Sequence, residues 1–195
     1  MKTAIIIHGW PDKEEYYDIN VSSPSNMHWL PWIQRQLLLK DILAQTPEMP
    51  KAYKPHYEDW KILFEQFKID EETILIGHSC GGGFIVRWLS ENIVKVGQVI
   101  LVAPWINPEY PTKIPREMFE PEFFNFNIDE NIAAKTAGIK IMYSTDDHVE
   151  VIESIKILKS KLKNVEFQEF TGKRHFTFKS MKTEKFPELL ANIII

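Results

Sequence analysis

Residues 72–86 constrain the fold of this chain more than any other part of the sequence. Residues 73–76 are apolar or β-branched and carry no charge, which predicts a strand buried on both faces. From residue 84 onward, apolar side chains recur at helical spacing. Between these two patterns lies Gly77-His78-Ser79-Cys80-Gly81, a G-x-S-x-G sequence. A strand, a tight turn carrying serine and then a helix form the arrangement called a nucleophile elbow.

The chemistry of such a turn explains its glycines. Ser79 must occupy the tip of a turn that leaves no room for Cβ atoms, so Gly77 and Gly81 flank it at two residues' distance. The helix that follows favours negative charge at its N-terminus, and the backbone N–H of Cys80 can donate to a developing oxyanion. A phosphate-binding turn is the alternative, but no G-x-x-x-x-G-K-[ST] pattern is present.

A second loop is expected to complete the oxyanion site. Residues 4–7 predict a buried strand, and His8-Gly9-Trp10-Pro11 follows it directly. A loop after an early strand supplies the second N–H donor in enzymes with a nucleophile elbow, and Trp10 is the candidate donor here. An ordinary turn built on Gly9 and Pro11 is the alternative interpretation.

Strand and helix patterns alternate along the rest of the chain. This alternation predicts an α/β fold: a compact, mostly parallel central sheet with helices on both faces. We expect further strands at 47–53 (a weak edge strand), 96–103, 139–143 and 165–170. We expect helices from about 30 to 44 and at 57–67, 129–136, 150–162 and 186–195.

Serine is a weak nucleophile without a base, and the base needs an acid to orient it. Behind a nucleophile elbow the chain order is serine, acid, histidine, with acid and base on loops at strand ends. His175 follows the last predicted strand and is the candidate base. Asp146 and Asp147 follow the preceding strand. The Asp-x-Val pattern favours Asp147 as the acid, whereas Asp146 could be a turn former or a helix cap.

Residues 104–128 combine five prolines with six aromatic side chains. Prolines at this density exclude a long helix or a central strand. A long loop after a strand's C-terminal end is where α/β enzymes build pockets, so Trp105, Phe119 and Phe123 are candidate substrate-binding residues. The alternative is a loop folded on its own hydrophobic cluster away from the site.

Composition narrows the class of protein. A length of 195 residues predicts a single domain over residues 1–195. The net charge of −4 argues against nucleic acid and membrane surfaces as partners. A single cysteine excludes an intrachain disulfide, and no stretch is long and apolar enough to span a membrane. We expect a cytoplasmic protein that acts on a small acyl substrate without metal or cofactor; a protein partner cannot be read from the sequence.

Three motifs together resemble the small serine hydrolases typified by retinoblastoma-binding protein nine. They are Gly77-His78-Ser79-x-Gly81, Ser144-Thr145-Asp146-Asp147 and Gly172-x-x-His175-Phe176. The resemblance implies a compact α/β-hydrolase fold and serine-hydrolase activity. By position it also implies a catalytic triad of Ser79, Asp147 and His175.

These motifs predict a serine hydrolase that cleaves a carboxylic ester, a thioester or an activated amide through an acyl-enzyme. Two other functions stay open. An acyltransferase would use the same residues with an alcohol or amine acceptor. A catalytically silent binding module would keep the fold without turnover, since fold alone does not fix function.

Overall fold

The structure is a computed structural model that describes residues 2–106 and 120–193. Within these residues the strands form a six-stranded sheet in the order β2-β1-β3-β4-β5-β6, with every neighbouring pair parallel. The strands are β1 (Thr3–Ile7), β2 (Leu43–Gln45), β3 (Thr73–His78), β4 (Val99–Val102), β5 (Ile139–Ser144) and β6 (Glu166–Phe170). The predicted fold class, an α/β fold with a mostly parallel central sheet, is confirmed.

The α-helices connect the strands and follow the last one. They are α1 (Lys13–Tyr17), α2 (Leu30–Leu38), α3 (Tyr57–Phe64), α4 (Cys80–Glu91), α5 (Pro121–Phe124), α6 (Val149–Lys161), α7 (Phe178–Met181) and α8 (Pro187–Ala191). Two short 3₁₀ helices cover Pro24–Asn26 and Ile132–Lys135. No helix in the described part of the chain is both long and apolar enough to cross a membrane.

Helices pack on both faces of the sheet, as predicted. The chain moves from β1 outward to β2 and then returns past β1 to β3. With right-handed crossovers, that reversal places α2 on one face and α3 and α4 on the other. Aromatic contacts agree with this layering: Trp29 at the start of α2 meets Phe186 before α8, and Phe64 of α3 meets Phe84 of α4.

The three central strands are buried on both faces because they carry almost only apolar side chains. Four of the five residues of β1 and all residues of β3 and β4 are buried. β6, at the edge, mixes polar and apolar residues and is partly exposed. The site residues therefore extend from the ends of buried, apolar strands.

Some predicted boundaries are wrong. The edge strand is Leu43–Gln45, whereas residues 47–49 are irregular and residues 50–53 form a turn. The helix expected to reach residue 44 ends at Leu38 and thereby frees the chain for β2. The helix expected at 129–136 is a single 3₁₀ turn. The two terminal residues of the closing helix predicted at 186–195 lie outside the described residues.

Candidate active site

Ser79 occupies a strained turn between β3 and α4. Its backbone has φ 52° and ψ −120°, a conformation that an L-residue adopts only when its surroundings enforce it. The Ser79 N–H donates to the carbonyl of Val102 (2.9 Å), and the Ser79 carbonyl accepts from the N–H groups of Gly83 (3.1 Å) and Trp105 (3.0 Å). Three backbone hydrogen bonds therefore hold the tip of the turn.

The glycines of the elbow are required by close packing. A Cβ at Gly81 would lie 2.4 Å from the carbonyl oxygens of Ile7 and His8. A Cβ at Gly77 would lie 2.7 Å from the Cα of Gly82. Real Cβ atoms do not approach backbone this closely, so the turn can press against β1 and α4 only with glycine at both positions.

Two backbone N–H groups near Ser79 are available to a substrate. Within residues 2–106 and 120–193, the N–H groups of Cys80 and Trp10 donate to no protein acceptor. The loop carrying Trp10 is close to the nucleophile, since a Cβ at Gly9 would lie 3.1 Å from the Cβ of Ser79. Both groups thus belong to the two turns that border Ser79.

His8 orients this second loop, a role that the sequence did not reveal. Its Nε2 accepts from the N–H of Met49 (2.9 Å), so the proton is on Nδ1, which donates to the Gly9 carbonyl (2.7 Å). In a trans peptide the Gly9 carbonyl and the Trp10 N–H point in opposite directions, so fixing one fixes the other. Burial lowers the pKa of His8 and thereby favours the neutral ring that this pattern needs.

His175 and Asp147 meet at the ends of β6 and β5. The Nδ1 of His175 lies 2.9 Å from Oδ1 and 3.2 Å from Oδ2 of Asp147. The Asp147 side chain is fully buried, and its Oδ1 also accepts from the N–H of His148 (2.6 Å). The His175 side chain keeps 19% of its surface exposed. A carboxylate on Nδ1 leaves Nε2 as the ring atom free to take a proton.

Asp146 has different hydrogen-bond partners from Asp147. Its Oδ1 accepts from the Ser144 hydroxyl (2.5 Å) and from the N–H groups of Gly172 (3.0 Å) and Arg174 (3.2 Å). The hydrogen bond from Ser144 makes the largest contribution to the lowered pKa of Asp146. Asp146 therefore ties the turn after β5 to the loop that carries His175, as a turn former rather than as the partner of the imidazole.

Two further histidines, the buried His78 and the half-buried His28, lie near His175. The His78 ring centroid is 5.0 Å from that of His175 and 5.9 Å from that of His28. Burial, assisted by the nearby charge of His175, lowers the pKa of His28 to about 4 and that of His78 well below its usual value. Neither ring is therefore charged at neutral pH.

Ser79 and His175 line the same two cavities. One, of about 320 Å³, extends past Trp10 toward His28 and Leu30. The other, of about 580 Å³, also contains Asp147 and reaches Val151 and Trp105. Within the described ranges the Ser79 hydroxyl makes no hydrogen bond. Hydrogen bonds between a nucleophile and its base often form only when substrate is bound.

The predicted substrate-binding residues have three different locations. Trp105 borders the larger cavity beside Ser79. Phe123 lies instead in the core, 2% exposed, with its ring centroid 5.1 Å from that of Trp60 and 6.4 Å from that of Tyr57. The pattern of alternating proline and aromatic residues did not distinguish a pocket side chain from a core one. Phe119 lies outside the described residues.

A parallel sheet with helices on both faces, and a serine in a strained turn at the C-terminal end of a central strand, define the class of α/β serine hydrolases. The comparisons with known proteins agree. The family described as "Serine hydrolase" matches residues 4–184, and the chain belongs to that family.

Individual relatives extend this finding. The YdeN protein of Bacillus subtilis (strain 168), whose name describes it as a hydrolase, is 27% identical over 153 residues, which cover 76% of this chain and 72% of that protein. The crystal structure of the ydeN gene product from B. subtilis aligns with a TM-score of 0.77 at 24% identity, covering 98% of this chain and 96% of the other. FphF, a fluorophosphonate-binding serine hydrolase of Staphylococcus aureus, aligns with a TM-score of 0.57 at 14% identity, covering 99% and 84%. At these identities the two structures show the shared fold alone.

Proposed function

We propose that this serine hydrolase cleaves a carboxylic ester, a thioester or an activated amide through a triad of Ser79, His175 and Asp147. The observation that carries the proposal is the pairing of His175 Nδ1 with the buried Asp147 carboxylate at the wall of a cavity that also contains Ser79. The narrower resemblance to the hydrolases typified by retinoblastoma-binding protein nine stays a prediction and suggests the same three residues.

In the first half-reaction the Ser79 oxygen attacks the acyl carbon while His175 Nε2 takes the hydroxyl proton. Asp147 accepts the Nδ1–H and stabilises the imidazolium that forms. The N–H groups of Cys80 and Trp10 donate to the carbonyl oxygen as it gains negative charge, and each such donor is worth about 3 kcal/mol in the transition state. The bond to the leaving group then breaks, and that group takes the proton from His175.

In the second half-reaction water attacks the acyl-enzyme. His175 removes a proton from the water, the same two N–H groups hold the oxyanion, and the acid product leaves as Ser79 regains its proton. A cavity of about 580 Å³ bordered by Trp105 and Val151 has the size of a small-molecule site. We therefore expect Trp105 to contact the acyl or alcohol part of a small substrate.

The test is covalent labelling combined with turnover. Wild-type protein should react with a fluorophosphonate probe and hydrolyse p-nitrophenyl acetate. Ser79→Ala should lose the label and about 10⁴-fold or more of the turnover, because the remaining groups cannot form an acyl-enzyme. Ser160→Ala, at an exposed position near the end of α6, is the matched control and should behave as wild type.

Two results would contradict the proposal. The first is folded wild-type protein that the probe never labels. The second is Ser79→Ala with the activity of wild type. Product analysis with added alcohols and amines distinguishes hydrolysis from acyl transfer, since a transferase would give the transferred ester or amide as its main product.

A further inference from the structure

The loop that carries His175 has an unfavourable backbone that its surroundings must hold in place. Gly172, Arg174 and Phe176 all have positive φ angles, of 79°, 47° and 53°. For the two non-glycine residues such a conformation is unfavourable and persists only where neighbouring contacts enforce it. The position of the His175 ring therefore depends on what fixes this loop.

Contacts from three directions fix it. On the outer side, Asp146 accepts from the N–H groups of Gly172 and Arg174. On the inner side, the fully buried Phe176 ring stacks on Phe186 at a centroid distance of 5.4 Å. The third contact comes from the nucleophile elbow: His78 Nε2 lies 2.9 Å from the carbonyl oxygen of His175.

The third contact has a defined direction. A carbonyl oxygen can only accept, so His78 Nε2 carries the proton and donates it to His175. The His78 side chain is 3% exposed and packs edge-on against the buried Trp29 at a centroid distance of 5.6 Å. An apolar side chain could fill such a position. A buried imidazole costs free energy unless it is hydrogen-bonded, and the bond to His175 provides that compensation.

We propose that His78 is a positioning residue that sets the distance between the nucleophile and the base. It is bonded covalently to Ser79 and hydrogen-bonded to His175, so a single side chain joins two loops that are 97 positions apart in the chain. The inference rests on the proposed function, because His78 can act as a positioning residue only if Ser79 and His175 react together. His78 also lines the smaller cavity beside Ser79 and His175, and the role assigned to it here is exerted through these two residues.

The test compares two substitutions of similar size that differ in their ability to donate. His78→Gln can still donate to the His175 carbonyl, whereas His78→Met cannot. We expect His78→Met to lower kcat for p-nitrophenyl acetate by about 10- to 100-fold with KM changed less than about 2-fold, since small misplacements of reacting groups have effects of this size. His78→Gln should recover most of the loss. Ile76→Val, two residues earlier in β3 and equally buried, should keep the wild-type kcat.

A double-mutant cycle separates positioning from general structural support. In a His175→Ala background the base is absent, so His78→Met should lower the residual rate less than about 2-fold. An equal cost in both backgrounds would overturn the inference. A folded His78→Met protein with wild-type kcat, or a His78→Gln protein no better than His78→Met, would overturn it too.

The failure of this inference can be distinguished from misfolding of a variant and from failure of the proposed function. If His78→Met does not fold, the pair His78→Gln and His78→Leu gives the same comparison between a side chain that can donate and one that cannot. If wild-type protein is not labelled by the fluorophosphonate probe, the proposed function fails. If wild type is labelled and the His78 substitutions leave kcat unchanged, only the inference about His78 fails.

Discussion

Asp146 and Asp147 are neighbours in sequence with opposite environments. Asp147 is buried against the His175 ring, whereas Asp146 points to the outer surface and binds two N–H groups of the next loop. Successive residues in a turn direct their side chains differently, so one carboxylate can orient the imidazole while the other shapes the loop beneath it. The Asp-x-Val pattern favours Asp147, and Asp147 is the carboxylate that lies 2.9 Å from the His175 ring.

Substitution of each aspartate by asparagine should distinguish the two roles. Asp147→Asn replaces the carboxylate that accepts from His175 Nδ1–H with an amide. The amide favours the tautomer of His175 with its proton on Nε2, and that nitrogen can then no longer act as the base. We expect kcat for p-nitrophenyl acetate to fall by about 10³- to 10⁴-fold in protein of wild-type melting temperature.

Asp146→Asn is the matched control for this prediction. Its amide oxygen can still accept from the N–H groups of Gly172 and Arg174, so kcat should fall less than about 10-fold. A larger loss for Asp146→Asn than for Asp147→Asn would show that the acid has been assigned to the wrong residue.

At the scale of elements, the site depends on how closely β1, β3 and α4 approach one another. The strained turn at Ser79 connects β3 to α4, and Gly81 lets the first turn of α4 pass over the end of β1. The order of the strands reverses between β1 and β3, which is where ligands bind in open parallel sheets. The His8 loop and the elbow therefore meet at this point.

The effect of Gly81→Ala tests this packing. The added methyl group would lie 2.4 Å from two backbone carbonyls that cannot move without displacing β1. We expect the protein to lose fluorophosphonate labelling. We also expect the free energy of unfolding in urea to fall by several kcal/mol, because the backbone cannot move away from the added methyl group.

Val86→Ala in the same helix is the control for this change. It removes two buried methyl groups and should cost about 2 kcal/mol while the folded protein keeps its labelling rate. If Gly81→Ala were labelled as fast as wild type, the close approach at the elbow would not be needed for the site.

At the scale of the whole molecule, three buried or half-buried histidines have lowered pKa values. Burial is the largest cause of the lowered pKa values of His8, His28 and His78. In the unfolded chain each ring titrates near pH 6.5. Below that pH the unfolded state takes up protons that the folded state does not, so stability falls as the pH falls through 6.5.

Urea unfolding at pH 7.5 and pH 5.5 measures this loss. His28 has a folded pKa of about 4, so it alone should cost about 1.4 kcal/mol between these two pH values. His28→Asn should reduce the pH dependence by about that amount, and asparagine tolerates the positive φ of 59° at this position.

Asn20→Ser, at an exposed position and with no titratable group, is the control and should leave the pH dependence unchanged. If His28→Asn had the same pH dependence as wild type, the buried ring would not be the source of the acid sensitivity.

Local sequence was sufficient for much of the fold. The buried strands, the elbow and the chain order of nucleophile, acid and base follow from apolar runs, from glycine spacing and from the strand-end positions of a few polar residues. The edge of the sheet was harder to predict. Leu43–Gln45 has three residues and continues a helical pattern, so the true edge strand was missed and one was predicted a few residues later. Only one residue of this edge strand is buried, so it lacks the apolar run that predicts a strand. The segment is a strand because it pairs with β1.

By itself the sequence determined the α/β class, the strained serine turn and the three candidate catalytic residues, since each depends on residue types at fixed local spacing. Only the tertiary structure decided that Phe123 packs in the core, that His8 bonds to the Gly9 carbonyl and that His78 bonds to the His175 carbonyl. These contacts join residues up to 97 positions apart, and no periodicity along the chain encodes which distant backbone group a buried ring will face.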